Sequence, residues 1–300
     1  MCGIGGIVFK SRLHGQKTGD IAYRILNSIY RRGPNSTGVA LWQDNDEDLT
    51  YIGVNVEKAG MGPKVIELLD ELGRVKSAND SDGYIRAAIT YKGKDDDLVE
   101  AIDGLGNGVT CASIGSHIEV LKYLGGVVNL ETKFKLSAYD GRVAIGLTRF
   151  ATESAIDFTH AQPLSARGTR DLVVMHNGHI TNYHRLRWLY QNKKGYRFTT
   201  KNDSEILCAV LWHEMSQGAS FKEALTSTID IVDGCFTYVA IHGNEVALVK
   251  DRYAAKPMVV AETDDFIAIA SDAWAICEGV QREVNVFEPG AGTVTTWRLQ

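Results

Sequence analysis

Apolar positions near the start of the chain follow two different spacings. Gly3-Ile4-Gly5-Gly6-Ile7-Val8-Phe9 is a glycine-rich, β-branched run that predicts a buried strand, whereas Ile21, Ala22, Ile25, Leu26 and Ile29 recur at helical spacing. Arg32-Gly33-Pro34-Asn35-Ser36 reads as a loop, residues 37–42 as a strand, and the acidic stretch 44–48 as a solvated turn. Residues from about 50 to 141 read as a separate α/β module. Within it Val65, Ile66, Leu68, Leu69 and Leu72 fit a helix, residues 84–91 a strand, and Asp95-Asp96-Asp97 opens a second helix; Ile118, Leu121 and Leu124 predict a third. Gly104-Leu105-Gly106-Asn107-Gly108 lacks the spacing and the lysine of a nucleotide loop and reads as a turn.

From Arg142 onward the pattern changes. Short Val-, Ile- and Ala-rich strands are predicted at 143–148, 172–175, 236–241, 245–250, 258–261 and 266–270, with helices at 183–192, 204–216 and 221–232. Ser220-x-x-Glu223 is a capping box ahead of the last helix. Hairpin-like strands interspersed with helices favour an α+β architecture of mainly antiparallel sheets covered by helices.

Composition narrows the function classes. With 32 basic against 37 acidic residues the net charge is −5, which gives no basic footprint for nucleic acid or anionic membrane. No stretch approaches the roughly 20 apolar residues of a membrane span, and no signal peptide is visible, so a cytoplasmic protein is expected. The cysteines at 2, 111, 208, 235 and 277 form no CxxC pair, which argues against a zinc or iron–sulfur site in this chain and against a disulfide framework.

Cys2 stands apart, because loss of Met1 would give it a free α-amine beside its thiol. Ordinary pKa values of roughly 7.7–8.0 for that amine and roughly 8.5 for the thiol let the amine act as a base near neutral pH. Further segments supply matching chemistry. Thr148-Arg149-Phe150-Ala151-Thr152 ends a strand with a fork suited to a carboxylate. In His176-Asn177-Gly178, an amide side chain and a glycine N–H can form an oxyanion hole. Asp203, in Asn202-Asp203-Ser204-Glu205, can accept from a substrate ammonium, and Arg32 can stabilise the loop near the N-terminus. Blander readings stay open: Arg149 as a surface ion-pair residue, Asn177-Gly178 as a hairpin turn, Asp203 as a helix N-cap, and His176 as a thiol partner in a Cys–His pair.

Taken in order, Cys2-Gly3-Ile4, Arg32-Gly33-Pro34-Asn35-Ser36-Thr37-Gly38, Thr148-Arg149-Phe150-Ala151-Thr152, His176-Asn177-Gly178, Asp203-Ser204-Glu205 and Asp251-Arg252-Tyr253-Ala254-Ala255-Lys256-Pro257 resemble the motifs of the class II, N-terminal-cysteine glutamine amidotransferases. The resemblance spans essentially the whole chain outside residues 50–141. It implies a four-layer αββα sandwich of the N-terminal nucleophile hydrolase type, interrupted by the inserted module. It also implies that Cys2 is the nucleophile, that Asn177 and Gly178 hold the oxyanion, and that Arg149, Asp203, Thr152 and Phe150 bind glutamine, with Arg32 in support. Asn35 and Thr37 stand where the family usually has Asp and Ala, and Glu153 where many branches have His.

Arg149-Phe150-Ala151-Thr152-Glu153-Ser154, the run 116–122 and the run 255–265 further resemble stand-alone amidotransferase subunits of glutamate synthase-like systems, N-methylglutamate synthase among them. That likeness implies a separate synthase subunit that receives ammonia and carries a flavin and an iron–sulfur cluster, with no cofactor in this chain. Two other functions remain open: a non-catalytic regulatory or scaffold subunit, and an N-terminal nucleophile amidohydrolase for another amide.

Overall fold

Strand Gly3–Phe9 is buried along its whole length, and its neighbours explain why. In the computed structural model, which describes all residues except 12–14, 45–47, 82, 153 and 300, it lies inside a six-stranded antiparallel sheet. The order of that sheet is Val259–Glu262, Phe266–Ala270, Gly3–Phe9, Val143–Arg149, Ser36–Trp42, Ile118–Leu124. A second antiparallel sheet runs Val294–Arg298, Glu245–Lys250, Gly234–His242, Leu172–Ile180, Leu164–Ser165. Ile4, Val8, Ala40, Ile145 and Leu147 from the first sheet meet Val173, Met175, Val239, Ile241 and Leu248 from the second in one apolar layer.

Each outer face is covered by helices. Thr18–Ser28, Val127–Phe134 and Ala273–Val280 pack Ile21, Ile25, Leu130 and Ile276 onto the first sheet. Tyr183–Asn192, Glu205–Ser216 and Phe221–Ile231 pack Leu186, Leu207, Leu211 and Leu225 onto the second. The architecture is therefore the expected αββα sandwich. Burial on both faces also explains why its central strands read as unbroken apolar runs instead of alternating ones. The capping box forms as predicted, Ser220 Oγ accepting from Glu223 N–H at 3.3 Å and Glu223 Oε2 from Ser220 N–H at 2.8 Å.

A third sheet, ordered Arg74–Asp80, Tyr84–Thr90, Thr50–Val56, Val109–Gly115, carries helices Gly62–Leu72 and Asp95–Gly104 over its own core of Val54, Leu69, Ile85, Leu98 and Ile102. The chain leaves this unit at Gly115, because Ile118–Leu124 pairs with Ser36–Trp42 in the main sheet. The helix expected around Ile118, Leu121 and Leu124 is thus a strand. All positions from Ile118 to Lys122 are buried, so apolar residues three apart do not mark one exposed-and-buried helical stripe. Three strands of this unit, 50–56, 74–80 and 109–115, were not anticipated; Arg74–Asp80 is a largely exposed polar edge with no apolar alternation. The unit is fastened to the sandwich by ion pairs Arg167–Asp103 (2.6 Å) and Arg170–Asp95 (2.5 Å). The buried Tyr84 hydroxyl also donates to the Val120 carbonyl at 2.7 Å.

Among the described residues no helix is long and apolar enough to cross a membrane. Of the acidic turn at 44–48, residues 45–47 lie outside the described ones, as does Glu153.

Gly6 occupies a point where a Cβ would run into the Ala144 carbonyl and lie 2.5 Å from Ile145 Cα. Gly6→Ala is expected to cost about 1–3 kcal/mol in stability by overpacking. Urea unfolding of the two proteins, compared at equal m-value, measures it.

Candidate active site

The ladders that Val143–Arg149 makes with Gly3–Phe9 and Ser36–Trp42 set the position of Cys2. Gly3 is opposite Thr148 and Ser36 is opposite Arg149, so the chain start, the end of Val143–Arg149 and the loop before Ser36 meet at one edge. Cys2 Sγ accepts from the Phe150 backbone N–H at 3.4 Å, while Arg32 Nε donates to the Cys2 carbonyl at 3.2 Å. Phe150 therefore meets the thiol through its backbone, and its ring is exposed. Asn35 ties the same corner together: its N–H donates to the Arg149 carbonyl at 3.0 Å and its Oδ1 accepts from Ala151 N–H at 2.9 Å. The amide at position 35 thus orders this loop without a carboxylate.

Burial pushes the Cys2 thiol above its ordinary value. The Phe150 N–H, the Arg149 guanidinium and the chain's N-terminal amine pull it back down, and the Asp203 carboxylate pushes it up. Arg149 and Asp203 thus both act on the thiol and on each other. Arg149 is buried, and burial lowers its own pKa against the pull of Cys2, Asp157 and Asp203. Its terminal nitrogens donate to the Ala155 carbonyl at 2.9 Å and Ser154 Oγ at 2.6 Å, so it is not a surface ion-pair residue.

Asn177 and Gly178 lie within strand Leu172–Ile180, not in a hairpin turn. Asn177 falls on the same face as Val173 and Met175, which form the inter-sheet layer that Cys2 packs against. Its Nδ2 is buried and has no hydrogen-bond partner among the described residues. Backbone direction alternates along this strand. His176 N–H donates outward to Gln162 Oε1 at 2.6 Å and Ile180 N–H to Asp203 Oδ2 at 2.9 Å. Gly178, midway between them, directs its N–H to that same edge. On its other side Phe236 is turned toward Asp251, bonding it through both N–H and C=O. A Cβ at Gly178 would collide with the Cys235 carbonyl and lie 2.6 Å from His176 Nε2.

Asp203 is not the N-cap of Glu205–Ser216; its carboxylate fastens the turn before that helix to Ile180. His176 does not pair with Cys2. Its Nδ1 lies 2.7 Å from Ser204 Oγ. Gln162 joins this group, donating to the His176 carbonyl at 3.2 Å and Ser204 Oγ at 3.1 Å. Gln162, Ser154 and Ser204 had not been singled out as site residues, since an isolated Gln or Ser in a loop carries no pattern. An open cleft of about 840 Å³ lies alongside, lined by Thr152, Ser154, Ala155, His160, Lys201 and Asp203 among others. Thr152 and Asp203 face it directly, and Arg149 reaches its wall through Ser154 and Ala155.

Residues 149–278 match the family described as a glutamine amidotransferase domain. A Methanothermobacter thermautotrophicus protein, provisionally named a glutamine amidotransferase, is 32% identical over 97% of this chain and 98% of its own. The glutamine amidotransferase-like protein GlxB of Rhizobium meliloti is 31% identical over 100% of this chain and 99% of its own. The chain belongs to the glutamine amidotransferase family. Among solved structures, the allosteric regulatory enzyme of purine biosynthesis superposes on this amidotransferase with a TM-score of 0.65 at 18% identity, covering 99% of it and 47% of the other chain. The glutamine phosphoribosylpyrophosphate amidotransferase of B. subtilis gives 0.62 at 17%, covering 99% and 49%. Those two likenesses concern the fold.

Burial lowers the His176 imidazole below its ordinary 6.5, and does the same to His213 and His242. As pH falls through about 6.5 the unfolded chain takes up protons that the folded amidotransferase resists, so stability falls with acidification. His176→Gln is expected to remove about one proton from that dependence, measured as the slope of urea-unfolding free energy between pH 7 and pH 5.

Proposed function

We propose that the chain hydrolyses the side-chain amide of L-glutamine, with Cys2 as N-terminal nucleophile once Met1 is removed. The freed α-amine takes the thiol proton near neutral pH. The Phe150 N–H and the Arg149 guanidinium offset the effect of burial on the thiolate. Thiolate adds to the amide carbon and the carbonyl electrons move onto oxygen, where Asn177 Nδ2 and the Gly178 N–H receive the charge. Collapse breaks the C–N bond. The proton held by the amine passes to the leaving nitrogen, and ammonia departs from a γ-glutamyl thioester. Water, giving its proton to the same amine, then attacks the thioester; a second collapse restores the thiol and releases glutamate.

Substrate recognition follows from charge. Arg149 takes the α-carboxylate in place of Ser154 Oγ and the Ala155 carbonyl, and Asp203 uses its second oxygen for the α-ammonium. Thr152 adds a hydroxyl at the cleft wall. An apolar acyl amide would need neither charge, which favours an amino-acid amide over another substrate. The observation that carries the reading is the buried, unpartnered Asn177 amide on the face where Cys2 packs. Leaving such a donor unpaired costs about 1–3 kcal/mol, and a developing oxyanion would satisfy it.

We further propose that the ammonia passes to a separate glutamate synthase-type subunit that holds a flavin and an iron–sulfur cluster. The sequence likeness of runs 116–122 and 255–265 supports this. Coexpression with genomic-neighbour subunits tests it: stable copurification is expected, and a chain that stays monomeric would count against it.

Wild-type protein shown by intact mass to lack Met1 should release glutamate and ammonia from glutamine, and Cys2→Ala should release none. Asn177→Ala is expected to lower kcat about 10²–10³-fold, whereas Arg149→Met and Asp203→Asn should act mainly on KM. A trimmed wild type that stays inactive with its partner subunits present would instead favour the scaffold role.

A further inference from the structure

Gln162 is only 3% exposed, and its amide makes the two bonds that a neighbouring strand residue would make. Its Oε1 accepts from His176 N–H at 2.6 Å, and its Nε2 donates to the His176 carbonyl at 3.2 Å. The partners dictate which amide atom is which, because a backbone N–H only donates and a carbonyl only accepts. The Nε2 group also donates to Ser204 Oγ at 3.1 Å. Strand Leu164–Ser165 pairs Ser165 with Val173 and Leu164 with Val174. Continued one for one, that register brings Gln162 opposite His176. The side chain of Gln162 thus carries the ladder one step past the point where the short strand ends.

The backbone of the same residue bears on the other sheet. The space that a Cβ on Gly38 would fill is taken by the Gln162 carbonyl, with Pro163 Cδ 2.8 Å away. Gly38 lies on the same strand face as Ala40, toward the second sheet. It stands opposite Leu147, and Leu147 stands opposite Ile4, two residues after Cys2. One residue therefore touches the sheet that carries the thiol and grips the strand that carries Asn177 and Gly178. The His176 carbonyl it holds belongs to the same peptide unit as the Asn177 N–H. Gly178 follows, bracketed by His176 on one side and by Ile180, held by Asp203 Oδ2, on the other.

We propose that Gln162 is a positioning residue for the reaction: its side-chain amide and its backbone together set the oxyanion donors Asn177 and Gly178 at working distance from Cys2. The proposal rests on the reading of Cys2 as a nucleophile that hydrolyses glutamine. Addition to the amide and attack on the thioester both place charge on the same oxygen, so a shifted donor strand slows whichever step limits turnover. Glutamine binding is spared, since Asp203 keeps its own bond to Ile180 N–H and Arg149 lies on the main sheet.

The test uses full-length protein freed of Met1, with Gln162→Met, which keeps the length and removes the amide, and with Gln162→Glu. At saturating glutamine Gln162→Met is expected to lower kcat about 10²-fold, the effect of a misplacement of about 1 Å. Its calorimetric Kd for L-glutamine in the Cys2→Ala background should stay within about threefold. Alkylation of Cys2 by iodoacetamide, a displacement at saturated carbon that builds no oxyanion, should keep its wild-type rate when followed by peptide mass. Gln162→Glu restores a donor to the His176 carbonyl only when its carboxyl is protonated, and burial there raises its pKa above the ordinary value of about 4.3. Its kcat relative to wild type should therefore rise about fivefold or more from pH 8 to pH 6, while that of Gln162→Met stays level; His176, Asp203 and Glu205 titrate in all three proteins. Wild-type kcat in a folded Gln162→Met protein overturns the proposal. So does a fall in glutamine affinity or Cys2 alkylation as large as the fall in kcat, which would put the loss in binding or in the nucleophile. Should Gln162→Met fail to fold, the Gln162→Glu ratio decides, and a ratio flat between pH 8 and pH 6 overturns the proposal. Trimmed wild type that hydrolyses no glutamine with its genomic-neighbour subunits present overturns the substrate reading and this proposal together, whereas an active wild type beside an equally active Gln162→Met overturns this proposal alone.

Discussion

The ladder between Gly3–Phe9 and Val143–Arg149 is the constraint on which the remaining geometry depends. A chain terminus is ordinarily its least ordered part. Here the first strand is threaded between two neighbours in the middle of a six-stranded sheet and is buried on both faces. Sliding that register by one residue would exchange Ile4 and Val8, which face the second sheet, with Gly5 and Ile7, and would destroy two apolar layers at once. The position of residue 2 is therefore fixed by hydrophobic packing far larger than any local contact of its own. Phe150, Arg149 and Arg32 add direction to a thiol already held in place.

The second sheet repeats this logic from the opposite side. Strand Leu172–Ile180 uses its apolar half to pack and its C-terminal half to expose polar groups at an edge where Leu164–Ser165 stops short. The short strand leaves the N–H groups of His176, Gly178 and Ile180 without a β partner. Gln162 and Asp203 satisfy the outer two. Two sheets of unequal width thus create a polar corner inside an apolar sandwich, and opposite charges gather there.

Much of this was readable beforehand where burial leaves an unambiguous mark. Short Val- and Ile-rich runs separated by helical periods pointed to antiparallel sheets covered by helices, the family resemblance implied the four-layer sandwich, and the ordered motifs at 2–4, 148–152, 176–178 and 203–205 lie on the elements that converge. Ile118–Leu124 was misread because a doubly covered strand has no period to detect. Arg74–Asp80 escaped notice because an exposed edge strand is held by its backbone ladder with Tyr84–Thr90, not by apolar side chains. Gln162, Asn35 and Ser204 act through hydrogen bonds set by tertiary position, which apolar periodicity does not encode.

Met1 is 60% exposed while the residues that follow are drawn into the sheet. Extra residues ahead of it would extend into solvent and leave the sandwich undisturbed. An affinity tag fused at that end would therefore leave the fold intact while residue 2 bears an amide nitrogen instead of an amine. Sample quality and chemical competence are separable at a single peptide bond. Under the proposed N-terminal nucleophile mechanism, a recombinant preparation can pass every structural check and still be a proenzyme.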